Sequence, residues 1–124
     1  MTSRAVVRYA TKADLEKFYG TEDTMYFSAR AVVVDLDGEI LGVGGVYRVK
    51  HQMQVFSDVR SDKISSRDII KAAHMVMRII NRYTAVVAYT DPDKGTALGF
   101  AKHFGFQPTG VQYEGGQQLY RMRE

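Results

Sequence analysis

The longest hydrophobic pattern of the chain spans residues 65–83 and predicts an amphipathic helix. Apolar side chains recur there at the three- and four-residue spacing that places them on one helix face. This face comprises Ile69, Ala73, Val76 and Ile80, widened by Ile70, Met77 and Ile79. Basic side chains follow the same spacing on the opposite face, at Arg67, Lys71, His74, Arg78 and Arg82. The pattern favours a helix that packs on a core and turns a basic face to solvent.

The start of this helix has the residues of an N-terminal cap. Ser65 can accept a hydrogen bond from the first turn, and Asp68 places a carboxylate near the positive end of the helix dipole. A strand at residues 53–59 leads to this cap through a short polar loop. Backbone amides and the dipole both favour phosphate at such a junction. The stretch therefore has two interpretations, an anion site or an ordinary surface helix.

β-branched and alternating runs elsewhere predict strands and two further helices. Strands are predicted at residues 5–9, 30–36, 40–47, 53–59, 84–89, 111–113 and 118–122. A short helix is predicted from Thr11 to Tyr19, and another from Pro92 to a stop at Gly105. Residues 21–29 are interpreted as a loop or a single turn. The resulting order, β-α-β-β-β-α-β-α-β-β, indicates a mixed sheet covered by helices.

Three glycines interrupt the third predicted strand, at Gly42, Gly44 and Gly45. Glycine weakens a strand, so its presence indicates a bulge or a group that closely approaches the backbone. That group can belong to a ligand or to a dimer partner. A homodimer is therefore one of the open expectations.

The composition is that of an ordinary soluble protein. The chain has 124 residues, of which 45% are hydrophobic and 25% charged, and this fits one domain over residues 1–124. No apolar run has the length of a membrane span, and the N-terminus lacks the apolar centre of a secretory signal. The absence of cysteine excludes disulfides and thiolate metal sites. A cytoplasmic location without membrane contact is the expectation.

Charge and histidine content narrow the possible ligands. The formal net charge of +3 leans towards anionic partners but is too small to indicate nucleic-acid binding. The basic helix face could hold phosphates, yet no aromatic side chains alternate with its charges, which disfavours nucleic acid. The three histidines, His51, His74 and His103, are widely scattered. No metal site is therefore expected.

Three stretches of the chain resemble the GNAT superfamily, the acetyl-CoA-dependent N-acetyltransferases. Residues 7–15, VRYATKADL, resemble the family's opening I-R-x-A-T-x-x-D-L, and residues 37–42, DGEILG, resemble its hairpin D-G-x-I-V-G. Residues 102–106, KHFGF, resemble the end of its late helix, K-L-G-F. The resemblance implies an α/β (α+β) fold with a mixed, mostly antiparallel six- to seven-stranded sheet and helices on both faces. It also implies direct acetyl transfer to a small-molecule or protein amine.

The resemblance further implies where acetyl-CoA and the proton carriers would lie. Backbone groups near Ser57 and Val59 would hold the pantetheine arm of the cofactor. The phosphate-binding residues implied are Lys63, Ile64, Ser65, Ser66 and Arg67, with Lys94 at the start of the late helix. The candidate proton carriers are Asp58, Tyr89 and His103. For Tyr89 a buried strand tyrosine, and for His103 a solvated helix-end histidine, are the alternative interpretations.

The chain departs from the family pattern at the phosphate loop and in the late helix. Where the family has R/Q-x-x-G-x-G/A, residues 61–67 read SDKISSR, without glycine, and Ala101 replaces a frequent tyrosine acid. These departures, and FSDV at residues 56–59, are similar to small GNAT-like proteins of tailed bacteriophages with a degenerate cofactor site. An alternative is therefore an inactive phage protein that binds another protein, in the virion or the host cytoplasm. The segment Met25-Tyr26-Phe27 would then be a contact surface.

Overall fold

The computed structural model describes residues 4–20, 29–50, 52–60, 63–90, 105–113 and 116–122. Seven strands and two helices lie in these ranges. In chain order they are β1 (Val6–Tyr9), α1 (Lys12–Tyr19), β2 (Arg30–Leu36), β3 (Glu39–Val49), β4 (Gln52–Val59), α2 (Ser66–Ile80), β5 (Ala85–Thr90), β6 (Gln107–Tyr113) and β7 (Gly116–Met122). The helix predicted after Pro92 and most of the segment predicted as a loop at 21–29 lie outside the described residues.

The strands form one mixed sheet in the order β1-β2-β3-β4-β5-β7-β6. Neighbouring strands are antiparallel except β4 and β5, which are parallel and are joined through α2. The predicted mostly antiparallel sheet of six to seven strands is therefore confirmed. A parallel pair requires a crossover connection, and the amphipathic helix provides it.

The two helices cover opposite faces of the sheet because β2 alternates its side chains between them. Ala31 and Val33 of β2 pack with Leu15 and Phe18 of α1. On the other face, the neighbouring side chains of β2 pack with α2, and this larger core also receives residues from β5. Val33 and Val46 are fully buried, one on each face. The predicted placement of helices on both faces is confirmed.

The first turns of α2 differ from the prediction. Ile69 and Ile70 are 45% and 52% exposed, and the fully buried side chains of the helix are Ile79 and Ile80 near its other end. The periodicity identified the apolar face correctly but not how far the sheet extends beneath it. The predicted basic face is confirmed as exposed along its length.

The last two strands are longer than predicted. They begin at Gln107 and Gly116, whereas the sequence pattern placed their starts at residues 111 and 118. Pro108 lies among the added residues of β6, and proline cannot donate a hydrogen bond to a sheet. β6 is an edge strand, where a missing donor is tolerated, and its register is irregular between Pro108 and Gln112.

The groups that closely approach the β3 glycines belong to this chain itself. A β-carbon on Gly45 would lie 2.2 Å from the carbonyl oxygen of Arg30 and 2.6 Å from the α-carbon of Ala31, which are on β2. A β-carbon on Gly44 would meet its nearest atom, in Val76 of α2, at an ordinary 3.6 Å. The close approach expected from the glycines is therefore real at Gly45, and it is a contact between two strands.

An ion-pair cluster joins β1, α1 and β2. Arg8 contacts both carboxylate oxygens of Asp14, at 2.6 and 3.0 Å, and its Nη2 lies 2.9 Å from Oδ2 of Asp35. Asp14 also completes a capping box with Thr11, which confirms the predicted start of α1. The Arg8 guanidinium holds the pKa of Asp14 and of Asp35 below its ordinary value of 3.8.

This cluster is expected to make stability depend on pH in acid. Carboxylates with a lowered pKa in the folded state stabilise it fully above their ordinary pKa, and that contribution is lost as the pH falls below it. Asp14→Asn should lower the free energy of unfolding at pH 7 by about 1 kcal/mol, since the pair is partly exposed. It should also flatten the decline between pH 5 and pH 2 in urea unfolding curves. Glu39→Gln, at an exposed carboxylate, is the control and should leave that decline unchanged.

Candidate functional site

The parallel strands β4 and β5 are paired over only a short stretch. Among the described residues they pair at one register position, Gln54 opposite Val87, whereas β3 and β4 pair at eight. β4 continues beyond that position to Val59, which at about 3.3 Å per residue adds ~16 Å of strand. Ligands of open α/β sheets bind at the carboxyl ends of such parallel strands. The opening between β4 and β5, called the seam below, is therefore a candidate binding site.

The N-terminus of α2 lies directly after the carboxyl end of β4. Ser65 is the N-cap, and its hydroxyl accepts a hydrogen bond of 3.1 Å from the amide of Asp68, as predicted. Ser66 and Arg67 occupy the first two helical positions, where amides have no acceptor within the helix. These two amides, with the exposed side chains of Lys63 and Arg67, suit an anion.

The loop before α2 packs on the sheet at Gly42, a glycine of β3. A β-carbon on Gly42 of β3 would lie 3.0 Å from Cδ1 of Ile64 and 3.8 Å from Cγ2 of Val59. Ile64 is half-buried and contacts the core beneath α2. Ile64 therefore anchors the loop to β3, and the phosphate contact predicted for it stays a prediction. The glycine that permits close packing lies in the neighbouring strand.

The predicted cofactor and catalytic residues of β4 fall on opposite faces of the sheet. Ser57 pairs with Gly44 and Val59 with Gly42, on the face covered by α2. Asp58 pairs with Val43, whose side chain packs in the core beneath α1. The proposed strand contacts of the cofactor and Asp58 therefore lie on different faces of the sheet.

Asp58 has a specific partner on α1. The hydroxyl of Tyr19, the last residue of that helix, donates to Oδ2 of Asp58 at 2.5 Å. Both side chains are accessible to solvent, so Asp58 is a carboxylate held in one orientation at the surface. A carboxylate oriented in this way can accept a proton from a substrate that approaches on the α1 face.

Aromatic rings surround the Tyr19–Asp58 pair. Tyr19 makes edge-to-face contacts with Phe18 and Phe56, at centroid distances of 4.8 and 6.2 Å, and Phe56 makes one with Tyr47 at 5.3 Å. The guanidinium of Arg60 stacks on Phe18 at 3.8 Å and donates to the Phe18 carbonyl. These contacts fix the end of α1 against β4 and hold Tyr19 in place.

The remaining predicted site residues are not all described. Tyr89 lies in β5 opposite Gln118, with its side chain outside the described part, and Lys94 and His103 lie outside it altogether. Their roles stay predictions. Within the described ranges, no group of three or more histidine, aspartate or glutamate residues could hold a metal ion. No helix in these ranges is long and apolar enough to cross a membrane.

Comparison with solved structures identifies the fold. The IAA acetyltransferase from Bacillus cereus ATCC 14579 matches with a TM-score of 0.67 at 12% identity, over 96% of this chain and 99% of that one. The ribosomal-protein-S18-alanine N-acetyltransferase from Escherichia coli matches with a TM-score of 0.66 at 9% identity, over 97% and 96%. A GNAT family acetyltransferase from Elizabethkingia anophelis with acetyl-CoA bound matches with 0.63 at 14%, over 98% and 100%.

These similarities cover nearly the whole of each chain. No protein-family model and no curated protein matches the chain in sequence. The protein therefore has the fold of the GNAT-family acetyltransferases, and the fold expected from its sequence resemblance is confirmed. The resemblance to phage proteins and a loss of the cofactor site stay hypotheses.

Proposed function

We propose that the protein is an acetyl-CoA-dependent N-acetyltransferase that transfers the acetyl group directly to an amine. The observation that carries this proposal is the seam between β4 and β5, which opens beside the N-terminus of α2 in a GNAT fold. A parallel strand pair that separates beside a capped helix start offers strand edges for an extended ligand and amides for its phosphates.

The described residues fit a phosphate-bearing cofactor. Amides of Ser66 and Arg67 and the side chains of Lys63 and Arg67 would contact the pyrophosphate, while backbone groups of Ser57 and Val59 would hold the extended arm. Acetyl-CoA, when bound, supplies the acetyl group as a thioester that an amine can attack. The Ser65 hydroxyl already accepts from Asp68, so its contribution is to fix the helix start.

Asp58 is the proposed general base. Its carboxylate would accept the proton that the amine nitrogen loses as it bonds to the acetyl carbon, while the carbon–sulfur bond breaks and the thiolate leaves. Tyr19 is a positioning residue, because its hydroxyl orients Asp58 without contacting the reacting atoms. The acceptor is a small-molecule or protein amine. One structural neighbour is named for an alanine of a ribosomal protein, which makes a protein amine a reasonable first substrate to test.

A second candidate function is protein binding by an inactive GNAT-like protein of phage origin. The glycine-free loop favours this candidate, because side chains at positions 63–67 restrict how closely backbone amides approach a pyrophosphate. The predicted contact surface, Met25-Tyr26-Phe27, lies outside the described residues. The two candidates differ in whether acetyl-CoA binds at all.

Titration with acetyl-CoA separates the candidates. Binding to the folded state raises the unfolding temperature, since ligand at a hundredfold excess over Kd adds about 2.7 kcal/mol of stability. Calorimetry should give a one-to-one complex, and Arg67→Glu should weaken it at least about tenfold, or about 1.4 kcal/mol, by placing a negative charge at the phosphate site.

Lys71→Glu is the matched control for this experiment. It makes the same kind of charge reversal on the same exposed helix face, one turn from the helix start. Lys71 lies about 6 Å further along the helix than Arg67, too far for direct contact with a phosphate at the helix start, so its reversal should weaken acetyl-CoA binding at least about threefold less than Arg67→Glu does. No binding at millimolar acetyl-CoA would exclude the enzyme and favour the protein-binding candidate. Equal effects of both substitutions would remove Arg67 from the site.

A further inference from the structure

A cleft lies at the other end of α2 from the candidate cofactor site. It has a volume of about 420 Å³ and is formed by the end of β1, the start of α1, the start of β2 and the last turn of α2 with the residues that follow. α2 has 15 residues, so at 1.5 Å per residue the cleft is ~20 Å from the Arg67 region. It is therefore separate from the seam.

The charge of this cleft is entirely positive among the described residues. No aspartate or glutamate lines it, and its four cationic side chains are Lys12, Arg30, Arg78 and Arg82. The side chains of the three arginines make no ion pair or hydrogen bond with any described residue. Lys12 shares its charge with Glu16 of the next turn, at 4.0 Å. Within the described part of the chain, the positive charge of the three arginines is thus uncompensated.

The helix dipole explains the position of only some of the cationic side chains in this cleft. Arg78 lies in the last turn of α2, where a cation complements the negative end of the dipole. Arg30 and Lys12 belong to β2 and α1, and neither ends a helix there. Bringing them to the same cleft increases repulsion between like charges. A bound anion would offset that repulsion.

Two tyrosines complete the lining. Tyr9 is 50% exposed at the end of β1, and Tyr83 follows α2. Aromatic faces and guanidinium planes stack on flat rings, as in proteins that bind nucleotide bases. The basic helix face alone has no aromatic side chains among its charges, and here the fold brings tyrosines from other positions beside Arg78 and Arg82.

We propose that this cleft is a second anion site, which binds a small phosphate-bearing molecule with a flat ring, of the nucleoside diphosphate class. Its volume is in the range of small-molecule pockets, about 300–1,000 Å³. A nucleic-acid strand would need a groove that continues along the surface, whereas the cations here converge on one cleft. The site is independent of the proposed acetyl transfer.

ADP is the probe for this proposal, and calorimetry measures its binding to the wild-type protein and to Arg67→Glu, in which the proposed phosphate contact of the seam is removed. A one-to-one complex should form and weaken at least about tenfold between 50 and 500 mM NaCl, since salt screens the attraction. Arg30→Glu and Arg82→Glu should each weaken it about tenfold or more. Adenosine, which lacks phosphate, should bind at least about tenfold less tightly than ADP.

Two control variants make the result specific to the cleft. Arg4→Glu makes the same charge change on an exposed arginine in front of β1, at the end of that strand remote from Tyr9, and should leave ADP affinity within about threefold. Arg67→Glu should leave it unchanged as well. The proposal is overturned if Arg67→Glu or Arg4→Glu weakens binding as much as Arg82→Glu, or if no complex forms at millimolar ADP. Binding of single-stranded oligonucleotide in preference to ADP would also overturn it.

Discussion

Gly45→Ala is expected to lower the unfolding temperature by about 10 °C or more. The added methyl carbon would lie 2.2 Å from the Arg30 carbonyl oxygen and 2.6 Å from the Ala31 α-carbon, both in the backbone of β2. Backbone atoms within a sheet cannot turn aside as a side chain can, so β2 and β3 must move apart. Overpacking of this kind costs up to about 3 kcal/mol and occasionally more, and each kcal/mol is worth about 4 °C in a domain of this size.

Gly44→Ala is the matched control, one residue earlier in the same strand. Its methyl group would meet Val76 of α2 at 3.6 Å, which is an ordinary contact. The same chemical change should therefore alter the unfolding temperature by less than about 4 °C, which corresponds to about 1 kcal/mol. Thermal unfolding followed by circular dichroism measures both variants. Equal losses in the two would show that strand propensity, and not the contact with β2, determines the requirement for glycine at position 45.

Asp58→Asn is expected to reduce kcat by about 10²- to 10⁴-fold, the usual contribution of a positioned general base. This prediction assumes the acetyltransferase function proposed above. Asparagine is nearly isosteric, and its amide oxygen can still accept from the Tyr19 hydroxyl, so the fold and the aromatic cluster should be retained. Affinity for acetyl-CoA, measured by calorimetry, should change by less than about threefold. The effect should therefore appear in kcat alone.

Tyr19→Phe separates orientation from proton transfer. It removes the hydroxyl that donates to Asp58 but leaves the ring in contact with Phe18 and Phe56. As a positioning residue, Tyr19 should contribute less than the base, about tenfold in kcat, and the double variant should be no slower than Asp58→Asn. A different outcome is that Asp58→Asn is fully active while Arg67→Glu no longer binds acetyl-CoA. That result would support the proposed cofactor site and show that a group other than Asp58 is the general base.

Much of the fold could be predicted because its signals are local. The run from Arg30 to Leu36 was predicted with its observed bounds, since β-branched residues followed by a hairpin turn mark a buried strand. The N-terminal caps of both described helices were also correct, because capping depends on residues within one turn. Contacts that depend on distant residues could not be predicted in this way. How far the sheet extends under α2 is one of them, and it left Ile69 and Ile70 exposed.

The candidate site was only partly predictable for the same reason. The cap at Ser65 and the cations near it follow from residues within one segment. Tyr19 and Asp58 are 39 positions apart, and neither carries a sequence signal for the other. Gly42 was recognised as a position of close approach, but that its neighbour is Ile64 emerges only from the packing of a loop across two strands. A single sequence contains no pattern for such pairs.

The seam also affects how the two parts of the sheet are held together. It divides the sheet into an N-terminal half, β1 to β4, and a C-terminal half, β5 to β7, which are each held by antiparallel pairing. Among the described elements, α2 bridges the halves, since its core includes Val46 from one and Val86 from the other. A ligand bound along both strands would be a second bridge. Occupancy of the seam would thus add to the coupling between the two halves, so that ligand binding stabilises the contact between them as well as the site itself.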